Sequence, residues 1–259
     1  MSYAAFYDHA VAEETDRLTA LGDAINDGTF RRLAQLGLRP DARCLDIGSG
    51  TGPIATRLCE LCPDGEVVAT DIDVRSLEPN VPAGVQVLRH DVTVDEFRQG
   101  SFDLIVARWV FAHLPRPARV LARIADWLAP GGCLLIEDPA DFAMRCSPSP
   151  TYRKVTEAVI QTLAHLAGTD VDWARSFPQP LTGIGLERIG LAADLPVAGP
   201  GTPMTRFLAA SVQRIADPLL ASGRVTAAEL AQWTAELSSD QFWDLGLANV
   251  AAWGYRPPS

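Results

Sequence analysis

The sequence predicts an α/β domain whose helices wind in both directions about a mostly parallel sheet, and three observations predict it. Five short apolar runs recur along the first 140 residues, four of them reach an aspartate near their C-terminal end, and three glycines at alternate positions separate the first run from the helical stretch that follows. The runs are continuous rather than alternating, which marks strands buried on both faces of a parallel sheet. Ligands of such sheets bind beyond the carboxyl ends of the strands. The aspartates therefore stand where a ligand is expected.

Taken in order, residues 3–24 and 29–37 read as two amphipathic helices, broken at Asn26-Asp27-Gly28, whose Asp-Gly step is a turn signal. The first strand, Cys44-Leu45-Asp46-Ile47, runs into Gly48-Ser49-Gly50-Thr51-Gly52, and Pro53 opens the next helix. The second, third and fourth runs span residues 66–71, 85–91 and 102–107, ending near Asp71, Asp91 and Ala107. A helix and the turn Pro130-Gly131-Gly132 lead to the fifth, residues 132–138, which closes on Asp138. An insertion follows, with a helix near 150–167 and the segment Asp172-Trp173-Ala174-Arg175-Ser176-Phe177, placed to wall a pocket above the strand ends. A sixth strand at 186–191, helices at 203–221 and 226–237 with Gly223 as a stop and Thr226 as a cap, and a last strand around 246–254 complete a seven-stranded sheet.

Composition bounds the function. With 259 residues, 47% of them hydrophobic, the chain buries a sizeable core as one domain. A net charge of −10 disfavours a broad phosphate-binding surface, so no nucleic-acid partner is expected. No apolar run is long enough to span a bilayer, and Asp8, Glu13, Glu14 and Asp16 make the N-terminus unlike a signal peptide, which predicts a cytoplasmic protein without membrane partners. Five cysteines do not make a disulfide framework. Cys59 and Cys62 have Cys-x-x-Cys spacing, but no second pair or nearby His accompanies them, and Ile54, Leu58, Leu61 and Cys62 form one apolar helix face; the packing reading is preferred over zinc or redox chemistry. Cys44 reads as a small buried hydrophobe. No Asp, Glu and His grouping has the spacing of a metal site, so none is expected.

An acid at the end of a buried strand, followed by a turn without side chains, lets backbone N–H groups and a helix N-terminus close around a small polar ligand. The dinucleotide fingerprint Gly-x-Gly-x-x-Gly is not met, because its third glycine would fall on Pro53. Gly48, Gly50 and Gly52 fit Gly-x-Gly-x-Gly instead, and with the acid-terminated strands the chain resembles the class I S-adenosylmethionine-dependent methyltransferases, of the actinobacterial small-molecule type that serves specialised metabolism. The likeness covers about residues 1–140, including Leu128-Ala129-Pro130-Gly131-Gly132, with weaker cues at Gly201-Thr202-Pro203 and Ala251-Ala252-Trp253-Gly254. It implies a Rossmann-like sheet, a helical lid at 1–38, a cofactor-binding half at 39–138, a substrate-side insertion at 139–185 and C-terminal strands and helices at 186–259.

By that resemblance the cofactor is S-adenosylmethionine. Asp46 with Gly48, Ser49, Gly50 and Gly52 would hold its methionine part, Asp71 the ribose hydroxyls, Ile72 one adenine face, and Asp91 with Val92 the adenine amine and ring, with Ala107 at the tip of the fourth strand beside them. Arg17, in Glu13-Glu14-Thr15-Asp16-Arg17-Leu18, would either meet the cofactor carboxylate in a forked pair or sit on a solvated face.

Methyl transfer asks mainly for orientation, since a sulfonium is already a good leaving group and an acceptor atom held in line at ~3 Å reacts readily. His113, just beyond the fourth strand, is the best candidate base, with packing against the sheet as the other reading. His90 reads as structural, and His9 and His165 as lid or surface residues. Tyr3, Phe6 and Tyr7 either cover the site or pack the lid. Trp109, Phe111, Phe142, Met144, Tyr152, Trp173 and Phe177 cluster in sequence around the strand ends; of these Trp109, Phe142, Trp173 and Phe177, with Arg108, are the acceptor candidates, and a flat or lipophilic metabolite follows if several line one cavity. Arg108 and Arg145 are placed to orient an acidic acceptor or to be solvated. The expected activity is transfer of a methyl group to an oxygen or nitrogen of a small organic metabolite, leaving S-adenosylhomocysteine, by a monomer or homodimer. The alternative keeps the fold and cofactor but uses the pocket for cyclisation or rearrangement, and a non-catalytic binding protein is a third reading.

Overall fold

The computed structural model describes residues 12–258. The seven-stranded sheet comprises β1 (Arg43–Ile47), β2 (Glu66–Asp71), β3 (Val85–Arg89), β4 (Phe102–Arg108), β5 (Leu128–Ala140), β6 (Glu187–Asp194) and β9 (Ala248–Tyr255), while β7 (Val197–Ala198) and β8 (Asp244–Leu245) form a separate two-stranded ribbon. The helices are α1 (Ala12–Gln35), α2 (Pro53–Leu61), α3 (Pro117–Asp126), α4 (Pro150–Ala167), α5 (Gln179–Gly183), α6 (Pro203–Arg214), α7 (Ala216–Ala221) and α8 (Ala227–Leu237). Strand order is β3-β2-β1-β4-β5-β9-β6, with β9 antiparallel to both neighbours and the first five strands parallel. The chain proceeds from β1 outward to β3 and then returns to β4 on the other side of β1. That reversal opens a crevice at the carboxyl ends of β1 and β4.

Both faces of the sheet are apolar, as the unbroken hydrophobic runs require. In β4, Leu104 and Val106 pack with Cys44, Val67, Ala69, Leu58 and Leu33 on the side of α1 and α2, whereas Ile105 and Ala107 pack with Leu45, Ile47, Leu134, Leu121 and Ile124 on the side of α3. Cys62 is buried with its Sγ 3.8 Å from that of Cys44, so the Cys-x-x-Cys helix turn points a thiol into the core. A third cluster, built from Leu21, Ile25, Tyr152, Val155, Phe207, Leu208 and Trp233, caps the strand ends. Among the described residues no helix is long and apolar enough to cross a membrane.

Three local expectations are corrected. The break at Asn26-Asp27-Gly28 does not occur, and α1 runs through it without interruption. Gly28 is there for clearance, since a Cβ would stand 2.2 Å from Asp194 Oδ2, and the tertiary contacts of the helix outweigh the roughly 1 kcal/mol that glycine costs in a helix interior. The expected helix 203–221 is two, because Pro218 has no N–H to offer Arg214 and the first helix stops there. The fifth strand starts at Leu128, which pairs with Phe102 across an irregularity in register, so the Pro-Gly-Gly sequence lies within the strand.

A buried polar hub fastens α1 to the sheet. Glu137 on β5 is 0% exposed. Its Oε1 accepts from Arg32 Nε at 2.6 Å, and its Oε2 accepts from Thr29 Oγ1 at 2.6 Å and from Asn249 Nδ2 at 2.9 Å. Arg32 also donates to Asp194 Oδ2 at 2.7 Å. Glu137→Ala is expected to lower the unfolding free energy by about 3–5 kcal/mol, because it takes from a buried guanidinium the more deeply buried of its two carboxylates. Glu137→Gln should fall between that variant and the wild type in urea titration.

Candidate functional site

The crevice widens into a cavity of about 480 Å³ enclosed by the loop after β1, the ends of β2 and β4, and helices α1, α4 and α6. The loop is held by backbone bonds and one short side chain. Ser49 N–H donates to Thr70 O at 2.9 Å, Gly52 N–H to Ser49 O at 2.8 Å, and the Ser49 hydroxyl to Asp46 O at 3.0 Å. Gly48, Gly50 and Gly52 have φ of +66°, +58° and +82°, a region costly to residues with a Cβ. Their surroundings differ. A Cβ on Gly48 would lie 2.4 Å from Val110, and one on Gly52 would lie 2.2 Å from Val81, whereas one on Gly50 would meet only Leu18 at 3.9 Å. Two glycines serve packing, and the middle one leaves space over the cavity floor.

Three carboxylates surround that space. Asp71 accepts from Gly50 N–H at 2.9 Å and from Asp73 N–H at 3.2 Å, which fixes it against the loop. A carboxylate offers about four lone-pair sites, so Asp71 retains capacity for ligand hydroxyls. Ile72 beside it is 45% exposed, an apolar side chain laid open on the cavity wall. Asp91 holds its own turn through Thr93, accepting on Oδ1 from N–H at 2.8 Å and from the hydroxyl at 2.6 Å. Asp46 is buried beneath the loop, neither of its oxygens meets a donor in bonding geometry, and burial pushes it up to about 7.

The opposite end is different in kind. The Arg17 guanidinium, 3% exposed, makes a forked pair with Glu14 at 2.8 and 2.6 Å, donates to Ser211 at 3.4 Å and lies 5.3 Å from the Phe207 ring centre. His113 sits on a single helical turn, Phe111–His113, with Nδ1 3.1 Å from Thr169 Oγ1. Burial, reinforced by the charge of Arg17, pushes its imidazole down to about 3. Trp109 takes the left-handed region at φ +57° and donates from Nε1 to Asn249 at 2.9 Å, while Arg108 donates to Thr29 at 3.1 Å. Both residues are thereby tied to the partners of Glu137. The remaining wall is apolar, from α4 and α6.

A family model described as a methyltransferase domain matches residues 11–179. The chain belongs to the class I S-adenosylmethionine-dependent methyltransferases. Methyltransferase str2 of Strobilurus tenacellus is 39% identical over 166 residues, which is 61% of this chain and 59% of that protein. Methyltransferase str3 of the same organism is 35% identical over 126 residues, 48% of this chain and 45% of that protein. The chain thus spans about half the length of the curated relatives it matches. A Haemonchus contortus phosphoethanolamine N-methyltransferase 2, solved with phosphomonomethylethanolamine and S-adenosylhomocysteine, superposes with a TM-score of 0.62 at 19% identity over 100% of this chain and 61% of its own, a likeness of fold. These matches carry the family and not the narrower actinobacterial type.

In this member of the family one cavity brings together Arg17, Gly48, Ser49, Gly50, Asp71, Ile72, Asp91, Val92, Arg108, Trp109 and His113. Asp46, Gly52 and Ala107 stand behind that lining. Burial of Arg17 removes the solvated reading. Phe142, Trp173 and Phe177 do not reach the cavity: Trp173 stacks on Phe111 with ring centres 6.5 Å apart, Phe177 meets Trp173 edge-on at 6.1 Å, and Phe142 and Phe177 line a separate pocket with Ala174 and Leu191. The segment 172–177 folds back onto the sheet core instead of over the strand ends, which leaves the wall to α4. Tyr3, Phe6, Tyr7 and His9 lie outside the described residues. His90 stacks on Phe97 at 4.6 Å. Arg145 is exposed and pairs with Asp141 and Asp172, away from the cavity.

Sequence reasoning missed Glu14, Thr169 and the cavity faces of α4 and α6. One signal was present. Val155, Ala158 and Thr162 of α4, at i, i+3 and i+7, are buried, while Thr156, Ile160 and Leu163, at i, i+4 and i+7, line the cavity, so the helix carries two largely apolar stripes where one suffices for packing.

Two outcomes follow from this geometry. Gly50→Val, which adds strain at positive φ and fills the cavity floor, should weaken S-adenosylhomocysteine binding by tenfold or more in calorimetry, with a loss of folding stability of about 1–2 kcal/mol. His113 titrates near 3 when folded against an ordinary value of 6.5, so below pH 6.5 the unfolded chain takes up the proton first and stability falls as pH falls. Urea titrations from pH 7 to pH 5 should therefore show a steeper loss for the wild type than for His113→Asn.

Proposed function

We propose that the chain transfers a methyl group from S-adenosylmethionine to an oxygen or nitrogen of a small organic acceptor. The reading rests on one observation: an open, glycine-rich loop and a carboxylate pinned to it share a cavity with an uncharged imidazole and an apolar chamber. Bound over the loop, S-adenosylmethionine would supply an electrophilic methyl group on a sulfonium.

The residues divide the work. The Gly48–Gly52 loop and Asp46 would hold the amino-acid part, where a buried carboxylate lacking a donor favours an ammonium. Asp71 would accept from ribose hydroxyls while Gly50 N–H keeps it from swinging, and Ile72, Asp91 and Val92 would bracket the adenine. His113 is uncharged throughout the physiological range, and an imidazole so weakly basic is suited to orienting the acceptor more than to taking its proton. Acceleration then comes from alignment of the acceptor with the methyl group. The two curated relatives described above are both named methyltransferases, which favours transfer over the cyclisation alternative.

Calorimetry on ligand-free protein should show uptake of S-adenosylhomocysteine, weakened about tenfold or more in Asp71→Asn, since hydrogen bonds to a charged group contribute about 1.5–3 kcal/mol. Incubation with methyl-labelled S-adenosylmethionine and extracted metabolites should give labelled product and S-adenosylhomocysteine in equal amounts. Absence of uptake, with a nicotinamide nucleotide bound instead, would overturn the proposal.

A further inference from the structure

Beyond His113 the cavity continues into a chamber whose walls are Val159, Ile160 and Leu163 of α4 and Phe207, Leu208 and Val212 of α6. Among the described residues, the charged groups that reach this end already have partners. The Arg17 fork holds Glu14, which is 0% exposed and also has Arg214 at 3.6 Å, and Arg108 donates to Thr29 on the edge of the Glu137 hub. The Thr156 hydroxyl is returned to its own helix, donating to Tyr152 O at 2.7 Å. Thr169 differs: its hydroxyl meets His113 Nδ1 at 3.1 Å and, with one donor and two acceptor sites, has room for a second bond.

We propose, on the methyltransferase reading above, that the acceptor is a lipophilic molecule carrying no ionised group, its body lying between α4 and α6 and its one polar atom turned to Thr169 beside His113. Moving an ion into such surroundings is costly unless a partner awaits it. A carboxylate acceptor would have to compete with Glu14 for Arg17 and leave that buried acid with the more distant Arg214 alone. The environment already rejects charge, since it holds the His113 imidazole uncharged down to about pH 3. An apolar body, by contrast, gains from each methylene it buries, about fourfold in affinity per group. Thr169 is anchored for its part because the next residue, Asp170, donates its N–H to Ala112 O at 2.7 Å, tying the loop after α4 to the turn that bears His113.

The test is calorimetry on the full chain saturated with S-adenosylhomocysteine, using 4-alkylphenols from ethyl to hexyl, their methyl ethers, and 4-alkylbenzoates of matched length. The expected result is affinity rising severalfold with each methylene, phenols about fivefold to tenfold tighter than ethers, and benzoates at least tenfold weaker than phenols. Ile160→Glu should flatten the chain-length dependence while S-adenosylhomocysteine affinity is unchanged. Thr169→Val should erase the preference for phenol over ether, and Thr169→Ser should keep it. A flat ladder, or benzoates that bind more tightly than phenols, on protein that binds S-adenosylhomocysteine normally would overturn this inference alone. Failure to bind S-adenosylhomocysteine at all would strike the methyltransferase reading and this inference with it.

Discussion

A single carboxylate with no access to water holds this molecule in its working shape. Glu137 satisfies both oxygens with three groups from two separate elements, Thr29 and Arg32 of α1 and Asn249 of β9, and those partners in turn hold Arg108 and Trp109 at the cavity wall. Desolvation of two charges offsets much of their attraction, so the pair adds less to net stability than to uniqueness of arrangement. No other position of α1 on the sheet would meet all of these bonds. The cavity is consequently bounded on one side by a helix whose register is fixed at a distance from the ligand.

The electrostatics of the two ends follow from that enclosure. Near the glycine loop, carboxylates accumulate with backbone donors as their partners, and Asp46 is left with a raised affinity for protons because burial is not compensated. Toward α4 and α6, cations and anions cancel in pairs and an imidazole remains neutral. One cavity thus joins a polar end rich in carboxylates to an apolar end whose described charges have partners.

Much of this was legible in the sequence. Strand runs with acids at their ends placed Asp46, Asp71 and Asp91 around one loop, because in a parallel sheet every such end emerges on the same side. Glycines at alternate positions carried the loop itself. Glu137 was not legible, since an acid next to Asp138 at a strand end looks like one more exposed tip until the pairing of β5 with β9 brings Asn249 alongside. Nor was the fate of Trp173 and Phe177, because whether an insertion folds over a pocket or back onto a core depends on contacts distant in sequence. Gly28 misled for a related reason: glycine beside aspartate signals a turn locally, and only the approach of Asp194 shows that the missing side chain makes room.

The unbroken course of α1 has a mechanical meaning. Glu14 and Arg32 are eighteen residues apart on one rod, so the roof of the cavity and its anchor are separated by about 27 Å of rigid backbone. Tilting it means stripping Arg32 and Thr29 from a dry carboxylate at one end and parting Glu14 from Arg214 of α6 at the other. The position of the cavity roof is therefore set partly by bonds made far from the space it covers.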